Sequence, residues 1–277
     1  MTNRLLYLIL VLSLACEEVV NVDLPDAQNQ IVVEGWVSDS LSNHPIRVTQ
    51  SLDFDSEVPF LAIETATIIV QSRDGEVFDY QYQGDGFYVA ISDYQGSPGS
   101  QYRVRIDLDT AEIRSDWDQM PEPVAIETLE VESFEDVDPN DSNNEITIYY
   151  PKITTRDPVN VDNFYRWIFY KNGLIFNDPD PITVQDDRLF DGNLIPNNFQ
   201  NFDYEIGDEM TVELTSISQR AFNYLSLLSS QLTTLGTSSG TTPAIVEGNL
   251  FIVNNTSTQV LGYFGSRSIS SETQIVE

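Results

Sequence analysis

Ile31-Val32-Val33-Glu34-Gly35-Trp36-Val37 is the stretch that decides the fold, because it is rich in β-branched residues and opens a series of similar runs. Such runs, bounded by Gly, Pro, Asn or Asp, predict β-strands, and their spacing of roughly ten residues is typical of an antiparallel sandwich. Further runs of this kind lie at 46–49, 66–70, 77–82, 87–90 and 102–106. We therefore predict an immunoglobulin-like β-sandwich over residues 28–120.

A second β-rich domain is predicted over residues 124–277. Met120-Pro121-Glu122-Pro123 marks its start, because two prolines around one residue cannot continue a central strand. One amphipathic helix is predicted at about 218–235, where Ser218 suits an N-cap and apolar residues recur at intervals of three and four. Its predicted strands lie at 126–134, 145–154, 164–171, 210–217, 244–252 and 260–265. The chain as a whole is thus predicted to be mostly β.

The first residues predict a lipoprotein signal peptide over 1–15. Arg4 precedes an apolar run at 5–12, which suits a secretory signal and is too short to cross a bilayer as a helix. Ala15 is the small residue expected at the cleavage position, and Cys16, the only cysteine of the chain, follows it directly. We expect Cys16 to carry a diacylglyceryl group with palmitate-type chains, because two acyl chains anchor a protein stably. The alternative is an ordinary signal peptide with an incidental cysteine.

Residues 16–27 are predicted to form an acidic tether between the lipid and the first domain. Glu17 and Glu18 follow the lipidated position directly. This arrangement resembles the export signal that sends lipoproteins of Bacteroidota to the outer face of the outer membrane. The resemblance implies a lipid-anchored protein that faces the exterior of the cell.

Composition indicates a globular and strongly acidic protein. The sequence is 41% hydrophobic, and its formal net charge is -31, with 13 Lys plus Arg against 44 Asp plus Glu. A partnership with nucleic acid is excluded, because binding to phosphate backbones requires clustered basic residues. An anionic membrane surface would also repel the chain, which leaves the lipid as the anchor. The simplest interpretation of the acidic residues is a soluble, self-repelling surface, and the alternative is the capture of cations or basic peptides.

No catalytic or metal site is predicted, and no cofactor is expected. His44, the single histidine, is predicted to lie on the surface. A catalytic Ser-His-Asp or Cys-His arrangement is therefore not expected, because no other histidine could serve as its base. Asp136-Val137-Asp138-Pro139-Asn140-Asp141 resembles the start of a calcium loop but lacks its glycine and its bidentate glutamate. Both this loop and Asp186-Asp187-Arg188 are interpreted as solvated acidic turns.

Three aromatic residues are predicted as candidate contacts for a ligand or partner. Trp117 stands between Asp116 and Asp118, which favours exposure or a place at the domain junction. Tyr263 and Phe264 lie between two glycines near the end of the chain. The alternative for this second pair is a tightly packed terminal strand, because glycines also permit close approach of two backbones.

Several motifs occur in an order that resembles a known family. They are the lipoprotein start, Val32-Val33-Glu34-Gly35-Trp36-Val37, Asp85-Gly86-Phe87-Tyr88, Tyr165 after Asp157-Pro158, Gly207-Asp208, Ile217-Ser218, and Gly248-Asn249 followed by Leu261-Gly262-Tyr263-Phe264-Gly265. Together they resemble the Bacteroidota outer-membrane lipoproteins grouped as domain of unknown function 4249. Genes of that family often lie beside TonB-dependent receptors, so the resemblance implies service to a nutrient transporter and transfers no catalytic residue.

We therefore expect a surface-exposed lipoprotein that acts as a non-catalytic accessory or binding subunit of a TonB-dependent transporter. A structural or adhesion lipoprotein is the first alternative. A surface hydrolase that uses two carboxylates is the second, because 44 acidic residues provide many pairs by chance alone.

Overall fold

The computed structural model describes residues 29–52, 58, 60–137, 144–176, 182–234 and 246–277. Within them the chain forms many strands and one helix, so the prediction of a mostly β protein with a single helix is confirmed. The N-terminal strands are β1 (Ile31–Ser38), β2 (Ile46–Gln50), β3 (Leu61–Ala62), β4 (Thr67–Ser72), β5 (Val77–Gly84), β6 (Phe87–Ala90), β7 (Gln101–Asp107), β8 (Glu112–Ser115) and β9 (Asp118–Gln119). The elements that follow are β10 (Ile126–Val137), β11 (Glu145–Arg156), β12 (Phe164–Lys171), β13 (Leu174–Ile175), β14 (Thr183–Asp186), β15 (Leu194–Asn198), β16 (Glu209–Ile217), α1 (Gln219–Thr234), β17 (Leu250–Ile252), β18 (Asn255–Gln259) and β19 (Leu261–Ile275).

Most strands belong to one 16-stranded sheet that draws on both ends of the chain. Along its main path the strands follow the order β13, β12, β16, β19, β1, β2, β6, β5, β4, β7, β8, β17 and β18. The pairing of β1 with β19 is parallel, whereas β1 pairs antiparallel with β2 and β19 antiparallel with β16. A separate sheet contains β10, β11 and β15. The immunoglobulin-like arrangement of the N-terminal strands stays a prediction.

Three apolar clusters bury the inward-facing residues of these strands. The first fills the N-terminal part and includes Val33, Val37 and, from the far end of the chain, Phe264. The second lies between β12 and β16 on one side and the smaller sheet on the other, where Trp167 and Ile153 are both buried. The third lies beneath α1. The first cluster therefore depends on a residue that lies over two hundred positions from the strand it packs against.

The long strand β19 serves both parts of the main sheet. Its first half pairs with β1, from Val32 opposite Leu261 to Ser38 opposite Arg267. Its second half pairs with β16, from Ile217 opposite Arg267 to Glu209 opposite Ile275. Parallel strands cannot be joined by a tight turn, so this pairing had to bring together distant segments. One strand thus joins the N-terminal strands to the C-terminal ones.

Glycine at position 262 allows β19 to approach β1 closely. Gly262 has φ +94°, and a Cβ added there would overlap the carbonyl oxygen of Val33. A Cβ on Gly248 would in turn overlap the carbonyl oxygen of Gly262. Next to this contact, the Asn249 side chain accepts from the Phe264 backbone N–H (3.0 Å) and donates to the Phe264 carbonyl (2.7 Å). Backbone contact, with no intervening side chain, therefore fixes the strand in place.

Asp118 ties the end of the N-terminal strands to β19 and to the start of α1. This buried carboxylate accepts hydrogen bonds from the Ser218 hydroxyl (2.6 Å), the Tyr263 hydroxyl (2.9 Å) and the Ser266 backbone N–H (2.8 Å). Burial raises the pKa of Asp118, and these hydrogen bonds oppose that rise because they favour the charged form. A buried carboxylate with several donors is a strong and specific crosslink.

The helix begins as its sequence predicts, and the N-terminal part of its apolar stripe packs on the sheet. Ser218 is the N-cap, since its hydroxyl accepts a hydrogen bond from the Ala221 backbone N–H (3.2 Å). Ala221 and Leu225 are buried against the sheet, whereas Leu232, near the C-terminal end, is 44% exposed. Among the elements described here, no helix has the length and apolar character needed to cross a membrane. The helix therefore covers the sheet beside β19.

We predict that Gly262→Ala destabilises the protein far more than Gly207→Ala. Gly207 has almost the same backbone angle, φ +95°, but a Cβ there would meet nothing within 4 Å. Positive φ alone costs alanine about 1–2 kcal/mol. The additional clash with Val33 should bring the loss in the free energy of unfolding for Gly262→Ala to about 3 kcal/mol or more. Denaturant unfolding of both variants measures the difference, and equal losses would contradict the close contact between β1 and β19.

Candidate functional site

The predicted lipid anchor lies outside the described residues. The signal peptide, Ala15, Cys16 and the tether all fall within residues 1–28, and the described chain begins at Asn29. Lipidation of Cys16 and cleavage after Ala15 therefore stay predictions from the sequence.

The structure places Tyr263 and Phe264 in the interior, so the prediction of a contact surface at these residues is wrong. Tyr263 is 2% exposed and Phe264 is fully buried. The Tyr263 ring stacks between Trp36 and Tyr224, with ring centroids 5.6 and 5.0 Å away. Its hydroxyl donates to Asp118, and burial raises its pKa above the ordinary range. The alternative named above, a tightly packed terminal strand, describes these residues correctly.

His44 is also buried, in contrast to the surface position predicted for it. Its Nδ1 accepts from the Ser38 backbone N–H (3.4 Å), so its Nε2 carries the proton and donates to the Tyr94 carbonyl oxygen (2.9 Å). Burial lowers the pKa of His44, which favours the neutral ring. The residue precedes Pro45 with φ 38°, and its side chain holds this strained turn in place. Its role is structural.

The acidic turns contain no group of three or more potential metal ligands within the described part of the chain. Asp136 lies in β10, and the rest of the calcium-like loop, from residue 138 onward, falls outside the described residues. In the second turn, Asp187 is buried and accepts from the Asn163 backbone N–H (2.7 Å), while Arg188 pairs with Asp186 (2.6 Å). Backbone hydrogen bonding and a local ion pair account for this second turn.

Trp117, the third predicted contact residue, is half-buried at a small surface cavity. The Arg103 guanidinium lies 4.4 Å from its ring centroid, and that of Arg73 lies 5.8 Å away. Trp117, both arginines, Gln71 and Glu76 all contribute to the lining of this cavity of about 240 Å³. Cations stacked on an indole ring form a rigid surface that suits recognition. Trp117 therefore stays a candidate contact.

A larger cavity of about 410 Å³ lies on the C-terminal part of the main sheet, and it contains two arginines. We call it the arginine cavity. It is lined by Arg166, Trp167, Ile168, Phe169, Tyr170, Ile175, Phe176, Ile182, Thr183, Phe202, Leu232 and Arg267. Among the residues that the structure describes, this lining includes no carboxylate. Volume and apolar walls match those of small-molecule sites in proteins.

Burial perturbs the ionisable groups at the arginine cavity. Burial, and after it the neighbouring Arg267 charge, lowers the pKa of Arg166 to about 10. Burial also lowers the pKa of Arg267. Tyr170 has its pKa raised to about 12, first by burial and then by the nearby Glu213 carboxylate. The Arg267 charge therefore disfavours the charged form of Arg166.

No local sequence pattern predicts the arginine cavity. Arg166 stands between Tyr165 and Trp167 in a run with the alternation of a strand, where a single arginine indicates only the polar face. Arg267 lies about a hundred residues further along the chain. Only the pairing of β12 and β19 with the same strand, β16, brings the two residues together.

A third cavity, of about 600 Å³, lies where the two predicted domains meet. Met120, Pro121 and Ile217 contribute apolar walls, and Glu122 and Asp162 are its charged lining residues. It has the opposite charge character to the arginine cavity. Acidic residues are expected at any surface of so acidic a chain, so the charges of this third cavity do not indicate a ligand as the two arginines do.

Comparison with known proteins identifies the family of this chain and no curated relative. No curated protein matches. The family described as a domain of unknown function (DUF4249) matches residues 17–273, which is nearly the whole chain. The match includes β1 and all but the last two residues of β19, the two strands that join the N-terminal and C-terminal parts of the main sheet. The chain belongs to the DUF4249 family.

Proposed function

We propose that the protein is an outer-membrane lipoprotein, exposed on the cell surface, that acts as a non-catalytic binding subunit of a TonB-dependent nutrient transporter. In this proposal the signal peptide is removed after Ala15, and Cys16 receives the lipid. The apolar run at 5–12, the position of the only cysteine and the acidic residues that follow it support the location.

The arginine cavity is the observation that carries a binding role. Guanidinium groups and aromatic rings recognise ligands through hydrogen bonds and stacking. The described lining contains no carboxylate, histidine or cysteine, which are the groups that most often act as general bases or nucleophiles. The cavity is thus equipped to bind a small molecule and present it, as an accessory subunit of a transporter would.

The predicted tether is short enough to keep the folded part of the chain close to a receptor in the same membrane. Fully extended, residues 16–27 span at most about 43 Å. The folded body, whose strands begin at Ile31, therefore stays within one protein diameter of the lipid surface. A receptor barrel in the same membrane would lie within its reach.

We predict that Cys16→Ser abolishes anchoring without affecting the fold. The serine hydroxyl cannot form the thioether that holds the diacylglyceryl group, so the variant should leave the membrane fraction. Intact-mass analysis should show the wild-type chain beginning at Cys16 and carrying acyl chains, whereas the variant should carry none. An unmodified cysteine in the wild-type protein would contradict the proposed location.

We predict that a TonB-dependent receptor co-purifies with the tagged protein. The protein is expressed at native level in its own host and extracted from the outer membrane in mild detergent. Recovery of such a receptor in a stoichiometric amount is the expected result, because a subunit of a transporter must contact it stably or repeatedly. An unrelated lipoprotein with the same tag is the control for shared membrane fragments.

Recovery of the acylated protein alone would contradict the transporter proposal in its stable-complex form. It would favour a structural or adhesion role on the cell surface instead.

A further inference from the structure

We propose that the arginine cavity binds a small organic anion, a molecule with a carboxylate or phosphate group on an apolar body. This inference rests on the proposed role as a binding subunit, and it adds the chemical class of the ligand. It follows from the placement of the two arginines, from their lack of partners and from the walls around them.

The strand register places both arginines on the same face of the sheet. Arg166 in β12 lies opposite Thr215 of β16, and Arg267 in β19 lies opposite Ile217 of β16. Directly opposite residues share a face, and so do residues two apart on one strand. The two guanidinium groups therefore approach the cavity from opposite sides of β16, as two arms of one anion site would.

Neither arginine forms an ion pair with a described residue, although the nearby Glu213 charge favours the charged form of both. The Nε atom of each is buried and makes no hydrogen bond, and within the described residues neither side chain forms an ion pair. Every other arginine and lysine in the described ranges does have a polar or acidic partner; these are Arg47, Arg73, Arg103, Arg105, Arg114, Lys152, Arg156, Lys171, Arg188 and Arg220. In a chain with so many carboxylates, two unpaired arginines at one cavity indicate an acceptor that comes from outside.

The nearby acidic groups do not meet this need. Glu213 influences both arginines electrostatically, but its own Oε2 is buried without a hydrogen-bond partner. Asp39, further along the same face, accepts instead from the Ile269 backbone N–H (2.9 Å). Neither carboxylate lines the cavity. Both arginine side chains line the cavity, where a bound anion can accept two parallel hydrogen bonds from a guanidinium group.

The walls of the cavity indicate that the anion has an apolar body. The apolar lining residues that are open to solvent are Ile175 and Leu232, which are 55% and 44% exposed, and the half-buried Phe176. Inorganic phosphate would fill only a small part of the volume of about 410 Å³. A ligand with a ring or a short alkyl chain would exclude water from these walls and gain affinity from their burial.

Titration calorimetry of the full-length protein in detergent tests the proposal. The probes are 3-phenylpropionate and phenyl phosphate, and the neutral control is 3-phenylpropanamide, which has the same body without the charge. Both anions should bind, and the amide should bind at least about tenfold more weakly, because it cannot accept charge-assisted bidentate hydrogen bonds. The tighter of the two anions identifies the preferred head group.

Two substitutions connect the binding to the arginines. Arg166→Gln and Arg267→Gln should each weaken anion binding by about tenfold to a hundredfold, because each removes one charged donor. Arg156→Gln is the matched control, since Arg156 lies in β11 and pairs with Glu127 away from the cavity. It should leave binding unchanged. Circular dichroism and the melting temperature confirm that each variant is folded before its titration.

The proposal would be overturned if the amide bound as tightly as the anions, or if the folded wild-type chain bound neither anion. The comparison of charged and neutral probes uses the wild-type protein, so it decides the matter even if an arginine variant does not fold. A receptor that still co-purifies while no anion binds would leave the transporter role in place and reject only this ligand class. Anion binding without recovery of a receptor would support this ligand class and reject the transporter role in its stable-complex form.

Discussion

The parallel pairing of β1 with β19 is the constraint on which the rest of the structure depends. Gly262 makes it possible, because any side chain at that position would overlap the backbone of Val33. Once β19 lies beside β1, its second half provides the neighbour of β16, and Tyr263 reaches the buried carboxylate of Asp118. This one contact therefore places Phe264 in the core of the N-terminal part, provides part of the surface on which the helix packs, and brings Arg267 to the arginine cavity.

The arginine cavity differs from the rest of the described chain in how its charged groups are paired. Within the described ranges, the other arginines and lysines all have polar or acidic partners. Burying a charge without a partner costs several kcal/mol, and a stable fold has no need of such an arrangement. Sites that break a rule of stability in this way are expected to serve function. The cavity is therefore the observation on which the proposed binding role depends.

The sequence predicts what is local and misses what depends on distant segments. Ser218 predicts the start of the helix because its hydroxyl caps a backbone N–H only three residues away. Burial of Tyr263 and His44 depends on partners far along the chain, Asp118 and Tyr94, that no local pattern reveals. The meeting of Arg166 with its distant counterpart depends on sheet order, which alternation within a strand does not determine. The family, in contrast, was predictable, since its motifs are short and ordered along the chain.

Hydrogen exchange of the wild-type protein in increasing denaturant tests most directly whether β19 joins the two parts of the main sheet into one cooperative unit. The peptides to follow come from β7 in the N-terminal part and from β12 in the C-terminal part, since each contributes residues to its own core. The account predicts that their slowest amides converge on the same free energy of opening, within about 1 kcal/mol. Free energies that differ by several kcal/mol would show that the parts unfold independently and would contradict it.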